Sequence, residues 1–140
     1  MCKIAVVYWS GTGNTEAMAN KVAEGARAAG AEVEMHTAAD FTAEQMDSFD
    51  AVAFGCPSVG AEELEDTEFA PMFSACESKL SGKKIALFGS YGWGDGEWMR
   101  NWEETCRGDG AVLACGSVIC NEAPDAEAEA ACEALGRALV

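Results

Sequence analysis

Apolar runs and helix-like stretches alternate along the whole of this 140-residue chain. That alternation constrains the fold more tightly than any single motif. The runs are continuous, as in Ile4-Ala5-Val6-Val7 and Ala51-Val52-Ala53-Phe54. A strand solvated on one face would alternate apolar with polar residues. An unbroken run marks a strand covered by helices on both faces, as in a parallel sheet. Right-handed crossovers then leave only a few doubly wound strand orders. The length suits one domain over residues 1–140, with a sizeable core.

The pattern predicts strands over 3–8, 32–37, 50–55, 84–89 and 111–119, and helices over 14–29, 67–80, 97–107 and 125–139. Phe41 to Met46 reads as a short helix or turn. The stretch 32–37 is interrupted by charge and suits a sheet edge. Pro71 fits poorly in the second helix, because proline belongs in a first turn rather than an interior. Asp125 is placed to cap the last helix, and Arg137 to complement its C-terminus.

Ligands of such sheets bind beyond the carboxyl ends of the strands, and those ends carry the unusual loops. The first strand runs into Trp9-Ser10-Gly11-Thr12-Gly13-Asn14-Thr15 and then a helix. Glycines let the backbone wrap a phosphate, and the helix N-terminus faces it. With no Lys or Arg here, the donors must be backbone amides, the hydroxyls of Ser10, Thr12 and Thr15, and the Asn14 amide. A nucleotide-hydrolysing P-loop would need Gly-Lys-Ser/Thr. A dinucleotide fingerprint would need glycine where Glu16 stands.

The third strand leads into Cys56-Pro57-Ser58-Val59-Gly60-Ala61-Glu62, the fourth into Ser90-Tyr91-Gly92-Trp93-Gly94-Asp95-Gly96, and the fifth into Cys120-Asn121-Glu122. Trp93, held between glycines, reads as a ligand wall rather than a lid on the core. Trp9, Trp98 and Trp102 already lie nearby in sequence. A phosphate at one end and a flat aromatic at the other suit a phosphorylated planar ligand, FMN or a mononucleotide.

A formal net charge of -15 repels nucleic acid and anionic lipid and favours basic partners. No apolar run approaches a membrane span. Met1-Cys2-Lys3-Ile4 lacks the layout of a signal peptide, so a cytoplasmic location is expected. The seven cysteines are odd in number and show no C-x-x-C spacing, which fits small buried hydrophobes in a reducing compartment. No metal site is expected. His36, the lone histidine, reads as structural or exposed.

Four stretches together resemble the short-chain flavodoxins of anaerobic, clostridial bacteria: Tyr8 to Glu16, Gly55 to Asp66, Phe88 to Gly94, and Asn121-Glu122. The resemblance covers nearly the whole chain. It implies a three-layer sheet of five parallel strands in the order 2-1-3-4-5, non-covalent FMN, and electron transfer rather than enzymatic turnover. Ser10 to Thr15 would bind the phosphate, with Trp9 beside them. Trp93 would stack on the outer face of the ring and Val59 on the inner face. Glu62 would accept from the flavin N3–H. Backbone amides around Gly92 to Gly94 would serve the pyrimidine end, flanked by Ser90 and Tyr91, and Asn121 would lie near the ribityl chain. Pro57, next to Ser58, replaces a serine of some relatives, and Ala61 replaces an aspartate.

The resemblance further implies a low-potential one-electron carrier, cycling mainly between semiquinone and hydroquinone, with a Gly60–Ala61 peptide that flips on reduction. The acids Glu62, Glu63, Glu65, Asp66, Glu68, Asp95, Glu97 and Glu122 would oppose the second electron. They would also dock basic-surfaced oxidoreductases, reductases or hydrogenase-type enzymes, the carrier itself acting as a monomer. Two other readings compete. An FMN-dependent NAD(P)H:quinone or azo reductase would need an insertion over the flavin, and none is visible. A phosphorylated receiver would need acids where Tyr8-Trp9 stand.

Overall fold

The computed structural model describes residues 2–140. Strand β1 (Lys3–Tyr8) lies between two parallel neighbours, β2 (Glu32–Thr37) and β3 (Ala51–Gly55), so that Val6 is opposite both Met35 and Ala53. Beyond β3 comes β4 (Lys84–Tyr91), paired Phe54 to Leu87. The fifth position holds two short segments, β5 (Val112–Leu113) and β6 (Val118–Asn121), both parallel to β4. The order is therefore 2-1-3-4-5, as expected.

The unbroken apolar runs serve two cores. Ala5, Val7, Val52, Phe54, Ile85 and Leu87 face α2 (Phe69–Cys76) and α3 (Glu97–Gly108), where they meet Phe69, Phe73, Trp98 and Trp102. Ile4, Val6, Ala51, Ala53, Ala86 and Phe88 face α1 (Asn14–Ala28) and α4 (Ala126–Ala138), meeting Met18, Val22 and Leu135. Successive residues of one strand point to opposite faces. Each run thus supplies both layers.

Three boundaries differ from expectation. The fifth strand is not continuous over 111–119. Ile85 pairs with Leu113 and Phe88 with Val118, so two residues of β4 stand opposite four of the other strand. Ala114-Cys115-Gly116-Ser117 offers little to pack on a pleated surface, and the extra residues bulge out. β4 and β6 also run on to Tyr91 and Asn121, so Ser90, Tyr91 and Asn121 are strand residues rather than loop residues.

The second helix is shorter than 67–80. It starts at Phe69 and gives way to a 3-10 turn over Glu77–Lys79. Its first internal bond runs from Met72 N–H to the Glu68 carbonyl at 3.3 Å, which puts Pro71 in the first turn, where no N–H is required. Near Phe41 to Met46 the chain forms two 3-10 turns, Ala38–Asp40 and Ala43–Ser48. Half-buried His36 sits on edge strand β2, its ring 5.4 Å from that of Phe41 and its Nε2 3.1 Å from Glu34 Oε1. Cys56, Cys76, Cys106 and Cys132 are buried as expected, and all seven thiols are free. Burial pushes the thiols of Cys56, Cys106 and Cys132 up to about 12. No helix among the described residues is long and apolar enough to cross a membrane.

Candidate functional site

Between β1 and α1 the chain must enter a helix within five residues. Gly13 makes that turn at φ 94°, a left-handed conformation that a Cβ would strain. Among the described residues no carboxylate accepts the first-turn amides of α1. Ser10 Oγ accepts the amides of Gly13 and Glu16 at 3.1 and 3.3 Å, and Thr12 Oγ1 accepts that of Asn14 at 3.4 Å. These amides are thus met only by neutral hydroxyls; the one acid of the first turn, Glu16, accepts the Tyr8 hydroxyl at 3.2 Å instead. Thr15 is different. It is buried, its hydroxyl lies 3.1 Å from Ser90 Oγ, and it accepts the Ser90 amide, fastening α1 to β4.

The loop after β3 continues the sheet for two residues, with the Cys56 amide donating to Phe88 and the Ser58 amide to Ser90. It then folds on itself. Val59 and Glu63 exchange both backbone hydrogen bonds, at 2.8 and 3.0 Å, and enclose Gly60 at φ 60° and Glu62 at φ 55°. The Glu62 carboxylate accepts the Asp95 amide at 3.2 Å. Loop 59–63 therefore leans on loop 92–96. Trp93, on that second loop, is 64% exposed. At the far side Asn121 Nδ2 donates to the Tyr91 carbonyl, as does the Glu122 amide.

The loops after β1, β3, β4 and β6 enclose a cleft of about 670 Å³ whose lining includes Trp9, Gly11, Thr12, Asn14, Pro57, Ser58, Val59, Gly60, Ser90, Tyr91 and Gly92. That volume is ordinary for a small-molecule site. Every one of those residues was expected from sequence. Ser10 and Gly13 line an adjoining pocket of about 480 Å³ on the other side of Trp9, beside Thr37 and Ala38. Thr15, Ala61, Glu62, Trp93, Gly94 and Asn121 stand around the cleft loops without lining it. Glu122 and Ala123 do line it. From sequence Glu122 reads only as a nearby charge, and nothing in the sequence marks Ala123.

The acidic surface needs two corrections. Asp95 is held below the usual carboxylate range by its hydrogen bond and ion pair with Arg100, at 2.9 Å. Glu65 is not a surface charge at all. It is 5% exposed. Its carboxylate accepts the amides of Thr67, Glu68 and Phe69, each at 2.8 Å, and the Thr67 hydroxyl. Burial pushes its pKa up, but these bonds outweigh burial and hold it at about 2. Glu63, Asp66 and Glu68 remain exposed, Glu68 accepting the Trp9 indole N–H at 3.0 Å.

The structure is a doubly wound parallel sheet with an uncharged anion loop and an aromatic loop at its carboxyl edge. The flavodoxin family model matches residues 6–135, and the chain belongs to the flavodoxin family. It is 48% identical to a flavodoxin of Megasphaera elsdenii over 135 residues, 96% of each chain. It is 45% identical to a flavodoxin of Clostridium beijerinckii over 132 residues, 94% of this chain and 95% of the relative. The solution structure of the two-electron-reduced Megasphaera elsdenii flavodoxin superposes with a TM-score of 0.90 over 97% of each chain. Flavodoxins are electron-transfer proteins rather than enzymes, so the cofactor is a flavin and the partners are redox proteins. The reductase reading is not favoured.

Proposed function

We propose that the cleft holds FMN and that the protein is a low-potential one-electron carrier. One observation supports this above the rest: an α1 N-terminus whose amides meet only neutral hydroxyls opens onto a cleft walled by Trp9, Val59 and Tyr91. The donor set fits a phosphate tail. First-turn amides, Ser10, Thr12 and Asn14 supply hydrogen bonds without a cation, and Thr15 with Ser90 braces the loop from beneath. Pro57, Ser58, Val59, Gly60 and Ala61 would flank the ring, Glu62 would offer an acceptor, and Trp93 would offer an exposed aromatic face. Gly92, Gly94 and Asn121 would border the remaining sides.

FMN, when bound, supplies chemistry that takes and gives electrons one at a time. The chain sets how readily this happens. With no Lys or Arg in Ser10 to Thr15, the phosphate charge stays uncompensated. Glu62, Glu63, Asp66 and Glu68 add four more negative charges nearby. At ~10 Å and an effective dielectric of ~40–80, each contributes about 0.4–0.8 kcal/mol. Together that is roughly 70–140 mV against a second electron, before salt screening. The same acids suit docking to basic-surfaced oxidoreductases, reductases or hydrogenase-type enzymes, with the carrier monomeric and cytoplasmic.

Titration of flavin-free protein with FMN and with riboflavin tests the site. FMN should bind at least 100-fold more tightly, giving a yellow protein. Equal affinities would remove the phosphate loop from the argument. Anaerobic titration should then resolve two one-electron steps, with the second well below the first. NADPH alone should reduce the protein slowly in stopped flow, and fast reduction would return the reductase reading.

A further inference from the structure

We propose that Glu65 and Cys56 form a clasp that fixes the Gly60 loop beside the cleft and thereby sets the spacing between the cofactor's two one-electron potentials. This deepens the FMN reading and rests on it. The loop is closed twice. The outer closure is the Glu65 amide donating to Cys56 Sγ at 3.4 Å across nine residues. The inner closure is the Val59–Glu63 pair. On the N-terminal side, β4 holds Cys56 and Ser58 through the carbonyls of Phe88 and Ser90. On the C-terminal side, the Glu65 carboxylate is driven into the first turn of α2.

A plain helix cap would need one carboxylate oxygen. Oε1 fills that role for Glu68 and Phe69, both at 2.8 Å. Oε2 goes further and takes the Thr67 amide and hydroxyl. The side chain is therefore held in one orientation, and its own amide stays aimed at Cys56. Cys56 is fully buried, and its thiol donates to the Pro57 carbonyl while accepting from Glu65. Burial keeps that thiol protonated, its pKa pushed up to about 12. Among the described residues, no backbone hydrogen bond ties Gly60, Ala61 or Glu62. Any rearrangement of this loop is confined to those three residues, two of which already have positive φ. A hydrogen bond offered from Gly60 toward the cleft keeps its strength only if both ends of the loop stay put. Glu65 and Cys56 are thus positioning residues, acting through Gly60.

The test uses the full chain loaded with FMN. Glu65→Gln keeps one acceptor and turns the other into a donor, so half of the fastening is lost. The separation constant of the two one-electron steps should fall at least fivefold, a narrowing of about 40 mV at 59 mV per tenfold. In the flavin-free protein, amide exchange at Val59 and Glu63 should accelerate at least tenfold. Thr67→Val, a milder change, should move both readings the same way by less, and it keeps the test open if Glu65→Gln does not fold. An unchanged spacing in the folded variants overturns the proposal, whatever the melting temperature does, because Glu65 would then be a helix cap alone. Failure of the wild type to take up FMN would break the cofactor reading instead, while exchange at Val59 and Glu63 would still report on the clasp.

Discussion

Helices α1 and α2 follow the two loops that hold most of the cleft, and their first turns are satisfied in opposite ways. At α1 the acceptors are the hydroxyls of Ser10 and Thr12, on exposed or half-buried residues. At α2 the acceptor is the buried carboxylate of Glu65. A hydroxyl can turn and become a donor; an ionised carboxylate cannot. The α2 end already holds its anion and repels a second. The α1 end is stabilised without being neutralised, so it can still receive one. The chain thus specifies its anion site by which helix start it leaves without a carboxylate on its amides.

The strongest way to break this contrast is to give α1 the feature of α2. Thr12→Asp puts a carboxylate beside the expected phosphate. Like charges ~4 Å apart at an effective dielectric of ~20 repel by about 4 kcal/mol. FMN affinity should fall roughly 1,000-fold by fluorescence titration, with the flavin-free fold unharmed. A loss below tenfold would mean that the phosphate does not sit there.

The converse change acts on stability. The folded pKa of Glu65 is about 2 against an ordinary 4.5. A depressed folded value means the contribution is fully present above about 4.5 and is lost as pH falls toward about 2. Its size is roughly 3 kcal/mol. Urea denaturation between pH 6 and 2.5 should show the wild type losing most of that, roughly 2.5 kcal/mol, more than Glu65→Ala. Parallel profiles would show that the buried carboxylate does not stabilise α2.

The difference between the two helix starts was only half legible in sequence. Ser10 to Thr15 declared itself through an absence, since a glycine and hydroxyl turn without a cation has few uses between a strand and a helix. Glu65 looked like one more member of an acidic run, because spacing does not reveal which of five neighbouring acids turns inward. That depends on where α2 starts, and Pro71 blurred its start. The strand order followed from continuous apolar runs together with the family resemblance. The break in the fifth strand did not, because a two-residue register slip is a property of the pair β4 and β6, not of either run alone. Ala123 reaches the cleft only because β6 extends to Asn121.

The smallest expected effects separate capping from binding. Asp125 Oδ1 accepts the Ala128 amide at 2.8 Å at the start of α4, a closed N-terminus of the same kind as α2. Ser10→Ala and Asp125→Ala each remove the side-chain acceptor of a first turn, and each should cost about 1 kcal/mol in the flavin-free protein. Only Ser10→Ala also removes a donor to the phosphate. It should weaken FMN about tenfold, roughly 1.4 kcal/mol, whereas Asp125→Ala should leave affinity within about twofold. Equal stability losses with unequal affinity losses would separate a helix start that only needs a cap from one that also binds. If Ser10→Ala lost stability and kept full affinity, backbone amides alone would hold the phosphate, and the hydroxyls would be caps like Asp125.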